Sequence, residues 1–154
     1  RQRQMCIRDR YSSLVFDKYS KADITTIELD SNIANIAREN FEKFNSKINL
    51  INDDAQKALT DINQGFDFVF IDANKAHYKA YFKLCANLLN QDGIIIADNV
   101  LFKGMVTNDK LVNRRVITIV KRLRNYIAYT MDRDDFTTSL IPIGDGLTLS
   151  VKEK

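Results

Sequence analysis

The run Phe68-Val69-Phe70-Ile71-Asp72-Ala73-Asn74-Lys75 ends four apolar residues in a carboxylate and places an amine three positions further on. A second run, Ile94-Ile95-Ile96-Ala97, finishes in the same way on Asp98-Asn99. Carboxylate and amide oxygens are hard ligands, suited to magnesium, calcium or manganese with waters completing the shell. Three such groups converging without a cation would repel one another and be poorly solvated. A lysine beside such a cation, partly withdrawn from water, has its ammonium form disfavoured, so Lys75 could accept a proton near neutral pH. The plainer alternative for one strand-end carboxylate is a helix or loop cap, and for Lys75 an ordinary surface lysine. The pairing of Asp72 with Asp98-Asn99 favours one shared site.

Glu28 ends the run Ile24 to Leu29 at the place where an acid binds ribose hydroxyls in nucleotide-binding sheets; a solvated strand-end charge is the competing reading. Asp54 follows the short apolar run Ile48 to Ile51. His77 is the single histidine, which excludes a His-pair zinc motif, and no role falls to it. Cys85 lies on an apolar helix face and reads as core. Arg114, Arg115, Lys121, Arg122 and Arg124 form a basic group; the solvated side of an amphipathic helix is favoured there over a nucleic-acid contact.

The elements that must position these residues alternate between helical and strand periods. The spacing predicts helices over Tyr11 to Ser20, over a stretch capped by Asp30 or Ser31 with Ile33, Ile36, Ala37, Phe41 and Phe44 on one face, and over Asp54 to Ile62. A further helix carries Tyr78, Tyr81, Phe82, Cys85, Leu88 and Leu89 and stops at Asp92-Gly93. A longer one buries Val112, Val116, Ile119, Val120, Leu123 and Ile127. Strands fall at Ile24 to Leu29, Ile48 to Ile51, Phe66 to Asp72 and Ile94 to Ala97. Thr137 to Ile143 and Leu147 to Val151, joined by Gly144-Asp145-Gly146, read as an antiparallel edge hairpin. Alternating strands and helices imply an α/β fold with a mostly parallel sheet, whose ligands bind at the carboxyl ends of the strands. Glu28, Asp54, Asp72, Asp98 and Asn99 all fall there.

A length of 154 residues suits one domain with a real core, and 45% hydrophobic with 28% charged residues is a globular composition. No apolar run is long enough to span a bilayer, so no membrane partner is expected. Cys6 and Cys85 are too few for a disulfide framework, which points to a reducing, cytoplasmic setting. The net charge of +3 permits an anionic partner without arguing for one.

The segments FDFVFIDANKAHY, GIIIADNVLFKGMV and IPIGDGLTLSVK, preceded in order by YSSLVF, ITTIELD and NDDAQKAL, resemble the cation-dependent O-methyltransferases, the family of catechol and caffeoyl-CoA O-methyltransferases and their bacterial relatives. The resemblance runs from Tyr11 to Lys152. It implies the Rossmann-like class I methyltransferase fold, with S-adenosylmethionine as methyl donor and a divalent ion, usually magnesium, at the acceptor hydroxyls. By motif it implies Asp72, Asp98 and Asn99 as metal ligands, Lys75 as base and Glu28 as ribose binder. Asp54 with Ala55 would flank the adenine, Tyr11 with Ser12 would line the methionine end, and Asp72 would border the cofactor as well. The acceptor would be a catechol-like phenol, a phenolic acyl-CoA or a hydroxylated tRNA base, and a homodimer is compatible.

The family places a strand and a glycine-rich loop before YSS. Here that stretch is RQRQMCIRDR, and no glycine precedes Gly65. Gln4 stands in place of a strand-end glutamate, and Cys6 and Arg10 in place of glycines, where side chains would obstruct bare backbone. Residues 1 to 10 are therefore expected to be foreign, with the first strand missing or replaced and residues 11 to 154 forming one domain incomplete at its front. A native basic arm for RNA is the less favoured reading. Two other functions compete: a receiver-type signalling domain phosphorylated on Asp72, disfavoured by Asp98-Asn99 and the terminal hairpin, and an inactive methyltransferase fragment. A nicotinamide-binding domain is poorer still, because G-x-G-x-x-G is missing.

Overall fold

Seven strands, β1 (Arg3–Ile7), β2 (Asp23–Ile27), β3 (Asn49–Ile51), β4 (Phe66–Ile71), β5 (Leu89–Ala97), β6 (Phe136–Ile141) and β7 (Leu147–Lys152), form one sheet in the order β3-β2-β1-β4-β5-β7-β6. The helices between them are α1 (Arg10–Tyr19), α2 (Ser31–Lys43), α3 (Ala55–Asp61), α4 (Tyr78–Leu88) and α5 (Ile117–Met131). These assignments come from a computed structural model, which describes residues 3–7 and 10–153, the side chains of residues 3, 4, 6, 7, 10 and 11 aside. β1 to β5 pair in parallel, and β7 lies antiparallel between β5 and β6.

A strand is present where the first one is expected to be missing or replaced, so the expectation of a missing strand is corrected. Arg3–Ile7 pairs with both β2 and β4, and Met5, set beside Thr25 and Val69, is fully buried. Backbone hydrogen bonds on both edges and the buried Met5 side chain tie these five residues into the centre of the parallel sheet. The expectations for Gln4, Cys6 and Arg10 as side chains lie outside the described residues.

Burial alternates along the central strands. Val69, Ile71 and Ile95 are fully buried in one cluster with Phe82, Cys85, Leu123 and Tyr126 of α4 and α5. Each contributes about 1.5–3 kcal/mol by leaving water. Their neighbours Phe68, Phe70, Ile94 and Ile96 point the other way and are only half-buried, as are Leu147, Leu149 and Val151 of β7. Phe16 of α1 lies edge-on to Phe68 and Phe70, at 5.4 and 6.0 Å between ring centres, so α1 covers the face opposite α4 and α5.

Local chemistry sets the element ends. Asp30 caps α2, its Oδ1 accepting the Asn32 and Ile33 N–H groups at 2.8 and 3.2 Å. The inward face of α2 is Ala34, Ala37 and Phe41; Ile36 and Phe44, expected inside, are exposed. The two alanines let the helix backbone approach closely, and Phe44 falls beyond the last turn as the C-cap. The expected Asp92-Gly93 stop lies inside β5 as a bulge, with Asp92 at φ +59° and the register shifted opposite Phe66 and Phe68. α5 begins at Ile117, because Val112 closes a separate 3-10 turn at Asp109–Leu111. Among the described residues no helix is long and apolar enough to cross a membrane.

From β1 the chain moves outward through β2 to β3, then returns to β4 on the other side of β1. The reversal between β1 and β4 is the switch point at which open parallel sheets leave a crevice for ligands.

Candidate active site

Asp72 and Asp98 are the first residues beyond the paired ends of β4 and β5, and Asp98 N–H extends the ladder to Ile71 O at 3.0 Å. Asn99 follows in the left-handed region, φ +54°, which asparagine tolerates better than most side chains. Its backbone N–H and its amide Nδ2 both donate to Asp98 Oδ1, at 2.6 and 3.2 Å. That leaves Asn99 Oδ1 to face Lys75.

Lys75 opens a 3-10 turn, Lys75–His77, capped by Asn74, whose Oδ1 accepts the Ala76 N–H at 3.1 Å. The turn brings the ammonium back over the strand ends. Lys75 Nζ lies 3.7 Å from Asp72 Oδ1 and 3.4 Å from Asn99 Oδ1, on a side chain only 19% exposed. Asp72, Lys75 and Asn99 are thus in direct contact, and Asp98 joins them through Asn99.

Tyr78, fully buried at the start of α4, donates its hydroxyl to Asp98 O at 2.8 Å and sets its ring 5.6 Å from Lys75 Nζ. Burial, with the charges of Asp72 and Asp98 acting the same way, pushes this hydroxyl far above the ordinary tyrosine range, so it remains a donor. Periodicity marks Tyr78 as core, but its partner lies twenty residues on and no local pattern announces it.

A cleft of about 390 Å³ opens beside this group, with Glu28, Asp54, Ala55, Ala73, Asn74 and Tyr81 in its wall. Glu28 is 7% exposed, and its Oε1 accepts the Asp30 N–H at 3.0 Å. Asn52 holds the backbone there, donating Nδ2 to Glu28 O and Leu29 O at 2.8 and 3.2 Å. A polar residue directly after β3 is the one sequence signal that could have singled Asn52 out. Asp54 caps α3, its Oδ1 taking the Gln56 and Lys57 N–H groups at 2.9 and 3.2 Å. The cap leaves out the N–H of Ala55, the first helical residue. β2 and β4 flank β1, so Glu28 and Asp72 stand about 10 Å apart across the switch point, two strand spacings. Ser12 is half-buried in α1, and the side chain of Tyr11 lies outside the described residues.

Arg114, Arg115, Lys121 and Arg122 of the basic group are exposed, and Arg124 is half-buried. Arg124 turns inward, donating Nε to Val106 O at 2.8 Å and Nη2 to Met105 O and Asp109 Oδ1 at 3.2 and 2.7 Å. Arg122 reaches Ala76 O at 3.5 Å. His77 Nδ1 lies 3.4 Å from Gln56 Nε2, and Cys85 is buried, its thiol pushed up by desolvation.

The residues present fit the two groups the resemblance implies. Among the described residues no three His, Cys, Asp or Glu side chains gather as a ligand cluster, so the candidate set is two carboxylates and one amide. Those oxygens are hard donors, and an ammonium drawn between Asp72 and Asn99 marks a place where positive charge is favoured. The buried Glu28 carboxylate beside apolar Ile27, Ile33, Ala55 and Ala73 suits a nucleoside, diol at one end and base against the wall.

The family model described as O-methyltransferase matches residues 10–153. A Dictyostelium discoideum protein named "Probable caffeoyl-CoA O-methyltransferase 2" is 39% identical over 111 residues, which cover 69% of this chain and 47% of that protein. The chain spans about half the length of this and two further Dictyostelium discoideum relatives of similar name. The crystal structure titled "putative caffeoyl-CoA O-methyltransferase" from Staphylococcus aureus is 30% identical, with a TM-score of 0.91 over 98% of this chain and 76% of that one. The Podospora anserina methyltransferase PaMTH1, solved with SAH bound, is 28% identical, with a TM-score of 0.89 over 99% of this chain and 72% of that one.

Proposed function

The chain belongs to the O-methyltransferase family, with the Rossmann-like fold of class I methyltransferases, and from that premise we propose that it transfers a methyl group from S-adenosylmethionine to an acceptor hydroxyl with the help of a divalent cation. The observation that carries this reading is Lys75 Nζ drawn between Asp72 and Asn99 at the rim of the cleft that holds Glu28.

S-adenosylmethionine would supply an electrophilic methyl group on its sulfonium. Glu28 would take the ribose hydroxyls, its Oε2 having no hydrogen-bond partner among the described residues. Ala55 N–H and Asp54 would meet the adenine edge, and Tyr81 and Ile33 its faces; by the family resemblance Tyr11, Ser12 and Asp72 would border the methionine end. A cation such as magnesium, held by Asp72, Asp98 and Asn99, would polarise the acceptor hydroxyl. Lys75 Nζ, released from Asp72 and Asn99 by the cation and present there as the neutral amine, would take the hydroxyl proton. The walls that align donor and acceptor could contribute as much as about 7–11 kcal/mol to the acceleration. Tyr78, through Asp98 O, keeps the end of β5 from shifting as charge changes beside it.

The acceptor we assign is a phenolic hydroxyl, free or on an acyl-CoA, after the names of the relatives; a hydroxylated tRNA base is the other acceptor to assay. The test follows methyl transfer from labelled S-adenosylmethionine to a catechol, with magnesium and with excess EDTA. Transfer should require the metal, and Lys75→Met should lower the rate by about 10²–10⁴ while leaving cofactor affinity in place. Full activity in EDTA, with no metal retained, would rule the cation out.

A further inference from the structure

We propose that Asp145 and Gly146, in the turn between β6 and β7, are positioning residues for Asn99. The proposal deepens the reading of Asn99 as a cation ligand and rests on it.

The segment after Asn99 is held in an unusual backbone. Asn99, Phe102 and Lys103 have φ of +54°, +50° and +55°, and Gly104 follows at +74°. Non-glycine residues enter this region rarely and stay there only where their surroundings over-determine them. The turn supplies that constraint through three acceptors. Gly146 O receives Val100 N–H at 2.9 Å, Asp145 O receives Leu101 N–H at 2.9 Å, and Asp145 Oδ1 receives Lys103 N–H at 2.5 Å. Gly146 is itself at φ +74°, and a Cβ there would stand 2.3 Å from Leu101 Cγ, so only glycine lets Leu101 close over the turn.

Asn99 therefore sits between two fixed points. Ahead of it, Asp98 is tied to Tyr78 and Ile71; behind it, Val100 is fully buried and bonded to Gly146. With both neighbours fixed, the Asn99 side chain is aimed at Lys75. The turn lies more than forty residues along the chain from Asn99, and acts through the backbone rather than by touching a ligand. Asp145 works as an acceptor for one N–H, so asparagine should replace it and alanine should not.

The test compares the whole chain with Asp145→Ala, Asp145→Asn and Gly146→Ala by three readouts: amide hydrogen exchange at Val100, Leu101 and Lys103, Mn²⁺ titration by electron paramagnetic resonance, and calorimetry with S-adenosylhomocysteine. Asp145→Ala should speed exchange at Leu101 and Lys103 and weaken Mn²⁺ binding about tenfold, as residues that orient a ligand commonly do. Its affinity for S-adenosylhomocysteine should stay at the wild-type value, and Asp145→Asn should match wild type throughout. Wild-type Mn²⁺ affinity in Asp145→Ala overturns the proposal, as does an equal loss in Asp145→Asn. Unaltered exchange in Asp145→Ala overturns the clamp itself. A wild-type chain that takes up no Mn²⁺ overturns the cation reading instead, and the exchange data then decide the clamp on their own.

Discussion

Tyr78→Phe removes one hydroxyl from a fully buried ring and leaves the ring's edge-on packing against Tyr126, 5.6 Å between centres, in place. What is lost is the 2.8 Å bond to Asp98 O. A neutral hydrogen bond is worth about 0.5–1.5 kcal/mol net, and an acceptor stranded away from water costs about 1–3 kcal/mol. Asp98 is half-buried, so about 1–2 kcal/mol is the expected loss. For 154 residues the unfolding entropy is roughly 0.3 kcal/mol/K, which turns that loss into a drop in Tm of about 3–6 °C. The pH dependence has a definite sign. Burial holds the folded hydroxyl's proton well above the ordinary value of 10.0, so below pH 10 wild type and variant differ by a constant amount. Above pH 10 the unfolded chain binds fewer protons than the folded one, and the stability contributed by this tyrosine is progressively lost. The gap between the two proteins should therefore narrow in alkali. Thermal unfolding followed by circular dichroism on both sides of pH 10 measures both effects. An unchanged Tm at pH 7 would refute the claim that this bond anchors the end of β5.

Met5→Ala should cost about 2–5 kcal/mol, read as a lower urea midpoint, because Met5 is fully buried in the central strand; an unchanged midpoint would mean that β1 does not form. In a Cys6→Ser background, Cys85 should react with Ellman's reagent only as fast as the chain unfolds, since burial excludes water and holds the thiol protonated; rapid labelling of the native chain would contradict its place in the core. Glu28→Gln should weaken calorimetric binding of S-adenosylhomocysteine about 10- to 100-fold, the loss of a charge-assisted hydrogen bond; wild-type affinity would remove Glu28 from the ribose role.

Where the signal is local, sequence and structure agree. The apolar run within Phe66 to Ile71 and its terminal Asp72, the Asp30 cap, and the Gly144-Asp145-Gly146 turn all follow from neighbouring residues. Lys75, Asp72 and Asn99 meet because β4 and β5 are adjacent parallel strands. Alternation implies the parallel direction, while the adjacency is set by the sheet order, in which β3 and β4 are consecutive yet apart. Tertiary context decided the rest. Met5-Cys6-Ile7 is a short apolar stretch for a central strand, yet partners on both edges supply the pairing that propensity does not. Asp92-Gly93 has the chemistry of a turn and serves as a bulge, because Phe66 recruits Leu89 into the sheet. Val112 fits the helical period of α5 but is spent closing the preceding 3-10 turn. The origin of residues 1 to 10 is a question about the gene, and the sequence of the source locus answers it.

The two sides of the sheet have unequal consequences for handling the molecule. Phe68, Phe70, Ile94, Ile96, Leu147, Leu149 and Val151 make one side apolar and only half-buried, with Phe16 shielding its first two rings. Water gains by leaving such a strip whenever another apolar surface is offered. In solution the chain should therefore behave as a sticky colloid. It should light up hydrophobic dyes while still folded, cloud with rising concentration rather than rising temperature, and clear again in mild detergent.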